Sequence, residues 1–179
     1  MRVAVVGHVE WTRLARVERV PAPGEIVHAS VDWEGPAGGG AAAAVQVARL
    51  AGACTFFTAL GDDVLGKRAN RVLRALGVEL RAVVRAAPTQ RGRRPDRRLR
   101  RADPDDARRA PGSQGGRPAR VGRPGGFDGV YFTAGDAGAL GAARQARVLV
   151  ASLRELRACA ASGLRIDAMV GSARDEAER

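Results

Sequence analysis

Thirty-four consecutive residues in the middle of this 179-residue chain, 90–123, contain only two large apolar side chains, Leu99 and Val121. Arg (12), Asp (4), Gly (5), Pro (4) and Ala (4) fill 29 of those 34 positions. No helical or strand face of that composition buries enough surface to offset the entropy of ordering its backbone. The segment is expected to be disordered, so whatever folds must be assembled from the flanks, 1–89 and 127–179, with 90–126 as the interruption. The same segment locates the charge. Of the formal net charge of +11, +8 (12 Arg against 4 Asp) lies in 90–123 and +3 in the other 145 residues. Lys67 is the only lysine. The chain is also crowded with Ala and Gly, so part of its basicity follows from residues with G/C-rich codons.

The flanks exclude several classes. The longest uncharged stretch, 35–48, is mostly Gly and Ala and is shorter than the ~20 apolar residues of a membrane span. The apolar run at the N-terminus is too short for a secretory signal, and a cytoplasmic location is expected. Cys54 and Cys159 have no C-x-x-C spacing and no nearby His, so they read as core or surface thiols and support neither a disulfide framework nor a zinc site.

Short β-branched runs alternate with amphipathic stretches of helical length, the pattern of an α/β domain. Strands are expected at 3–6, 25–33, 55–58, 129–132, 148–150 and 166–170. Helices are expected at 41–51, 138–146 and 153–161. Another follows Gly61-Asp62-Asp63, with Leu65, Ala69, Val72, Leu73 and Leu76 on one face and Gly77 as the stop.

The ordered series Val5-Val6-Gly7, Val20-Pro21-Ala22-Pro23-Gly24-Glu25, Gly38-Gly39-Gly40 opening an Ala-rich helix, Gly61-Asp62-Asp63-Val64-Leu65-Gly66 and Leu76-Gly77-Val78 resembles the N-terminal half of a ribokinase-type (PfkB) carbohydrate kinase. The resemblance covers 1–88 well and 127–179 less specifically. It implies a doubly wound α/β sheet with helices on both faces and a partial β lid, incomplete at the C-terminus. It also implies phosphoryl transfer from ATP, with Mg²⁺, to a hydroxyl of a sugar or nucleoside, and a homodimer formed through the lid.

By that resemblance Gly38, Gly39 and Gly40 let the backbone approach a bound sugar, although a tight turn before a helix explains the cluster equally well. Ala42 stands where the family commonly has an Asn that bonds a sugar hydroxyl. Thr12 stands where a hydroxyl-gripping carboxylate follows the first strand, and Glu10, two positions earlier, offers one. Asp62 and Asp63 read first as helix caps. His8 and His28 read as lid or loop polar residues. Ser172-x-x-Asp175 stands in place of an Asn-x-x-Glu pattern that helps organise Mg²⁺, which allows Asp175 a role through a metal-bound water; a capping arrangement is the plainer reading. The Gly-Ala-Gly-Asp type motif that carries the general base and the phosphoryl-stabilising helix N-terminus has no match, so no catalytic residue is assigned and the nucleotide site is expected to be missing. Gly135-Asp136 follows a mid-chain strand and lacks the leading glycine.

Three readings of the arginine segment compete. A nucleic-acid-binding arm would make the protein a basic binding module, yet 90–123 holds no aromatic residue for base stacking. A solvated linker is the second. The third, favoured by its abrupt edges, is translation out of frame through G/C-rich DNA. The expectation is a PfkB-type sugar kinase in truncated or impaired form.

Overall fold

The computed structural model describes residues 1–19, 21–92 and 126–173. Its centre is β1 (Val3–Val6), flanked on one side by β4 (Cys54–Gly61) and β5 (Val78–Arg85) and on the other by β7 (Gly129–Phe132), β8 (Val148–Ser152) and β9 (Ala168–Val170). All neighbours in this six-stranded sheet run parallel, in the order β5-β4-β1-β7-β8-β9. A parallel sheet must be covered on both faces, and alternate residues show how. Val5 and Phe56 join one buried cluster with Ala44, Ala48, Ala69 and Leu73 of the helices α1 (Gly39–Ala51) and α2 (Val64–Ala75). Ala4 and Phe57 join the other, with Leu140 of α3 (Ala137–Ala143) and Cys159 of α4 (Leu156–Ser162). The sheet is therefore doubly wound.

A second sheet of three strands stands apart, in the order β3-β2-β6. Here β2 (Glu10–Arg16) pairs antiparallel with β3 (Ser30–Ala37) and parallel with the two-residue β6 (Gln90–Arg91). It rises from the carboxyl end of β1 and returns to the start of α1, so it overhangs the edge of the main sheet where its strands end.

Several expectations shift. The strand expected at 25–33 begins at Ser30 and continues to Ala37. Glu25 is instead held in a turn, where its carboxylate accepts from the Arg19 guanidinium and from Ala22 N–H. β2 is an addition, because its Glu, Thr and two Arg suggest a loop until a partner strand is seen. β5 is likewise an addition. The helix expected at 41–51 starts at Gly39, and that expected at 138–146 is α3, Ala137–Ala143. The helix expected at 153–161 divides into a 3-10 turn, Leu153–Glu155, and α4. On α2 only Ala69 and Leu73 of the expected face are fully buried; Val72 and Leu76 lie at its exposed margin. Gly77 follows the helix with φ of 83°, as a stop glycine should. Gln90 and Arg91 are lid strand rather than disordered chain. The remainder of that segment, 93–123, lies outside the described residues. Both cysteines are buried, and burial pushes the Cys54 thiol up to about 11, the setting of a core side chain.

Candidate functional site

In an open α/β sheet, ligands bind beyond the carboxyl ends of the strands, where neighbouring strands are connected in opposite directions. Here that point lies between β1 and β7. The chain runs outward from β1 through β4 and β5, then returns to the other side of β1. Gly7 ends β1, Thr133 ends β7, and a Cβ at Gly7 would collide with Thr133 Oγ1.

The glycine turn closes on this point. Gly38 has φ of 93°, a left-handed conformation suited to glycine, and carries no side chain to cap α1. The first helical bond runs from Ala42 N–H to Gly38 O at 3.0 Å, and no side chain caps the preceding amides. Those N–H groups sit at the positive end of a 13-residue helix. A Cβ at Gly40 would stand 2.8 Å from Gly7 C, His8 N and His8 O, so the first turn of α1 lies backbone against backbone on the β1–β2 loop. Ala42 is exposed on the same first turn. The His8 ring is packed on the turn, its Nε2 3.0 Å from where a Gly38 Cβ would be. Its Nδ1 is buried without a hydrogen-bond partner. His8 reads from sequence as a lid or loop polar residue and lies in the β1–β2 loop, but a lone histidine carries no sign of its neighbour 30 residues away.

Glu10 and Thr12, two residues apart, share one face of β2, and Glu10 lies opposite Ala37, next to the glycine turn. Thr12 Oγ1 is buried with no hydrogen-bond partner. The floor beside these two side chains is Gly92. A Cβ there would be 3.1 Å from Glu10 Cδ and Oε1 and in collision with Thr12 Oγ1. Glu10 and Thr12 are thus brought beside Gly92, and Glu10 next to the Gly38–Gly40 turn, across long stretches of sequence. Asp175 lies outside the described residues, and Ser172 is exposed. Among the described residues there is no group of three or more His, Cys, Asp or Glu that could hold a metal ion.

The other face of β2 ties the lid to the body. Trp11 is 5% exposed, and the Arg68 guanidinium of α2 stacks over it at 4.7 Å. Arg68 also pairs with Glu34 of β3 at 2.9 Å, as does Arg13 of β2 at 2.9 Å. The Arg13 hydrogen bond, with a smaller contribution from Arg68, holds the Glu34 carboxyl below its usual range.

Both paired carboxylates at the start of α2 have structural work. Asp62 pairs with Lys67 at 3.1 Å. Asp63 is the N-cap, accepting from Gly66 N–H at 2.7 Å. It also accepts from Thr89 N–H at 3.0 Å and from the Thr89 hydroxyl at 2.7 Å. The Thr89 hydroxyl bond, then the Gly66 amide, keeps the Asp63 carboxyl below the ordinary range. Asp136 caps α3 through Ala139 N–H at 2.8 Å.

A doubly wound parallel sheet with a small strand lid beyond its carboxyl edge is an α/β protein of ribokinase-like architecture. Residues 1–93 match the pfkB family carbohydrate kinase model, just over half of the chain, and the chain belongs to that family. Among solved structures, a carbohydrate kinase from Agrobacterium tumefaciens is similar at 23% identity and TM-score 0.61, over 94% of this chain and 60% of that one. A ribokinase from Cryptococcus neoformans in complex with ADP is similar at 19% identity and TM-score 0.58, over 86% of this chain and 52% of that one. Phosphofructokinase-2 from Escherichia coli in complex with fructose-6-phosphate is similar at 14% identity and TM-score 0.61, over 94% of this chain and 60% of that one. These likenesses establish the fold. The chain spans between 52% and 60% of the length of these three structures. No curated protein matches its sequence.

Proposed function

We propose that this chain carries the sugar-binding half of a PfkB-type kinase, with a sugar or nucleoside hydroxyl as phosphoryl acceptor and ATP as donor. The observation that carries the reading is that β2, with Glu10 and the unpartnered Thr12 hydroxyl on one face, begins opposite Ala37, next to the uncapped Gly38–Gly40 turn. A carboxylate accepts hydrogen bonds from two sugar hydroxyls, a threonine hydroxyl both donates and accepts, and the helix amides donate to ligand oxygens. Ala42 offers no side-chain hydrogen bond, so hydroxyl selection rests on Glu10 and Thr12. Family membership and the ADP complex of one structural neighbour support ATP as the donor.

The acceptor-binding residues are the ones described, and no general base is assigned among them. The reading therefore includes binding without turnover, and a second copy of the chain joined through the lid, where Leu14 and Trp33 face one another in register and are 52% and 44% exposed. Calorimetry with D-ribose, D-fructose and adenosine tests it. Binding of at least one of them is expected, weakened about tenfold or more by Glu10→Ala through loss of a charge-assisted hydrogen bond. Equal affinity in the variant would overturn the role of Glu10. Phosphoryl transfer by purified 1–179 with ATP and Mg²⁺ would overturn the impaired state.

A further inference from the structure

Capping a helix needs one carboxylate oxygen on one amide, as Asp136 shows with Ala139 N–H alone. Asp63 is committed much further. Its Oδ1 takes both Gly66 N–H and the Thr89 hydroxyl, and its Oδ2 takes Thr89 N–H. Thr89 is 6% exposed, and its hydroxyl oxygen in turn accepts Gly61 N–H at 3.1 Å. One side chain thereby joins the end of β4, the start of α2 and the residue just before β6.

Two glycines make room for this junction. A Cβ at Gly66 would lie 2.9 Å from Thr89 Oγ1 and 3.2 Å from Asp63 Oδ1. A Cβ at Gly61 would lie 2.7 Å from Ala87 O and 2.8 Å from Pro88 C.

Beyond Thr89 the chain reaches the sugar site within three residues. Gln90 and Arg91 pair with Glu10 and Trp11, and Gly92 N–H donates to Trp11 O at 3.0 Å. A strand of two residues has too few ladder bonds to fix its own register. Yet the register matters here, because a slip of one residue would bring a side chain to the place of Gly92, where a Cβ already meets Glu10 and Thr12.

We propose that Asp63 is a positioning residue for the sugar site: acting through Thr89, it holds β6 in register on β2 and so fixes where Glu10 and Thr12 stand. The functional part of this inference rests on the reading of Glu10 and Thr12 as the hydroxyl-gripping pair.

Amide hydrogen exchange and side-chain NMR on the full chain test it without any ligand. In Asp63→Asn and in Thr89→Val, Gly92 N–H is expected to exchange about tenfold faster or more, the effect of losing one charge-assisted hydrogen bond. The Thr12 methyl and Glu10 carboxyl resonances are expected to move, while β1 and β7 amides such as Val5 and Phe132 keep their protection. Thr89→Ser keeps the hydroxyl and is expected to match the parent. Should Asp63→Asn fail to fold, the Thr89→Val and Thr89→Ser pair decides alone. Faster exchange confined to the first turn of α2, with Gly92 and Thr12 unchanged, would reduce Asp63 to a cap and overturn the proposal. Absence of binding by D-ribose, D-fructose and adenosine to the parent chain would instead overturn the sugar reading and leave the exchange result standing.

Discussion

A methyl group at Gly40 would meet three backbone atoms, Gly7 C, His8 N and His8 O, each at 2.8 Å and none able to rotate aside. Relief requires moving α1 away from the β1–β2 loop. Gly40→Ala is expected to lose about 1–3 kcal/mol, the range for overpacking a tight site. Gly52 supplies the control: it has φ of 81° but open space around its Cβ position, so Gly52→Ala carries only left-handed strain of about 1–2 kcal/mol. Urea unfolding of both variants measures the difference, and sugar affinity separates them further, since only Gly40 borders the site. At this scale much was legible. Three adjacent glycines before an Ala-rich stretch announce a close approach, and Asp63 before an amphipathic run announces a cap. What could not be read was partnership. Nothing in the local sequence around His8, Thr89 or Gly92 says that they stand against Gly38, Asp63 and Glu10, because those contacts are made by the fold.

Elements with a buried face were legible in proportion to that burial. α2 declares itself through Leu65, Ala69 and Leu73, spaced four apart, and β4 through an almost wholly buried run from Cys54 to Gly61. The lid strands did not. β2 faces solvent from Arg13 to Arg16, so its alternation is diluted, and the strand expected at 25–33 fell partly on a turn held by Glu25. One contact between elements gives a pH prediction. Asp167, just before β9, accepts from Leu149 N–H of β8 at 2.8 Å and from Arg144 at the end of α3 at 2.7 Å. The Leu149 amide, then Arg144, lowers its carboxyl from the ordinary 3.8. A lowered carboxyl stabilises the fold fully above its unfolded value and loses that contribution as pH falls through its folded one. Acid unfolding monitored by circular dichroism should therefore show the loss below pH 3.8, and Asp167→Asn should flatten that part of the profile.

At the scale of the molecule, the main sheet and the lid carry different reporters. The only two tryptophans of the chain, Trp11 and Trp33, both lie in lid strands. Tryptophan emission therefore reports on the lid alone. Disrupting its tie to α2 with Arg68→Ala is expected to raise acrylamide quenching while far-ultraviolet circular dichroism stays unchanged, because an exposed ion pair and one cation–π contact contribute only about 1 kcal/mol each. Unchanged quenching would mean that the lid is held by other contacts. The same view recasts the charge. Apart from the two lid residues Gln90 and Arg91, the lid and sheet come from flanks that share +3, and most of the +8 of 90–123 falls on the connection between them.

That connection has a consequence for how the chain folds. β1 meets β4 across 51 residues of sequence, Ala4 to Thr55, but meets β7 across 126, Ala4 to Val130. The longer closure costs only about 0.8 kcal/mol more in chain entropy, yet a growing polypeptide cannot make it until β7 has been synthesised. Throughout that interval the β7-facing edge of the central strand is without its partner, and a nascent chain at this stage presents an unpaired parallel edge to its neighbours.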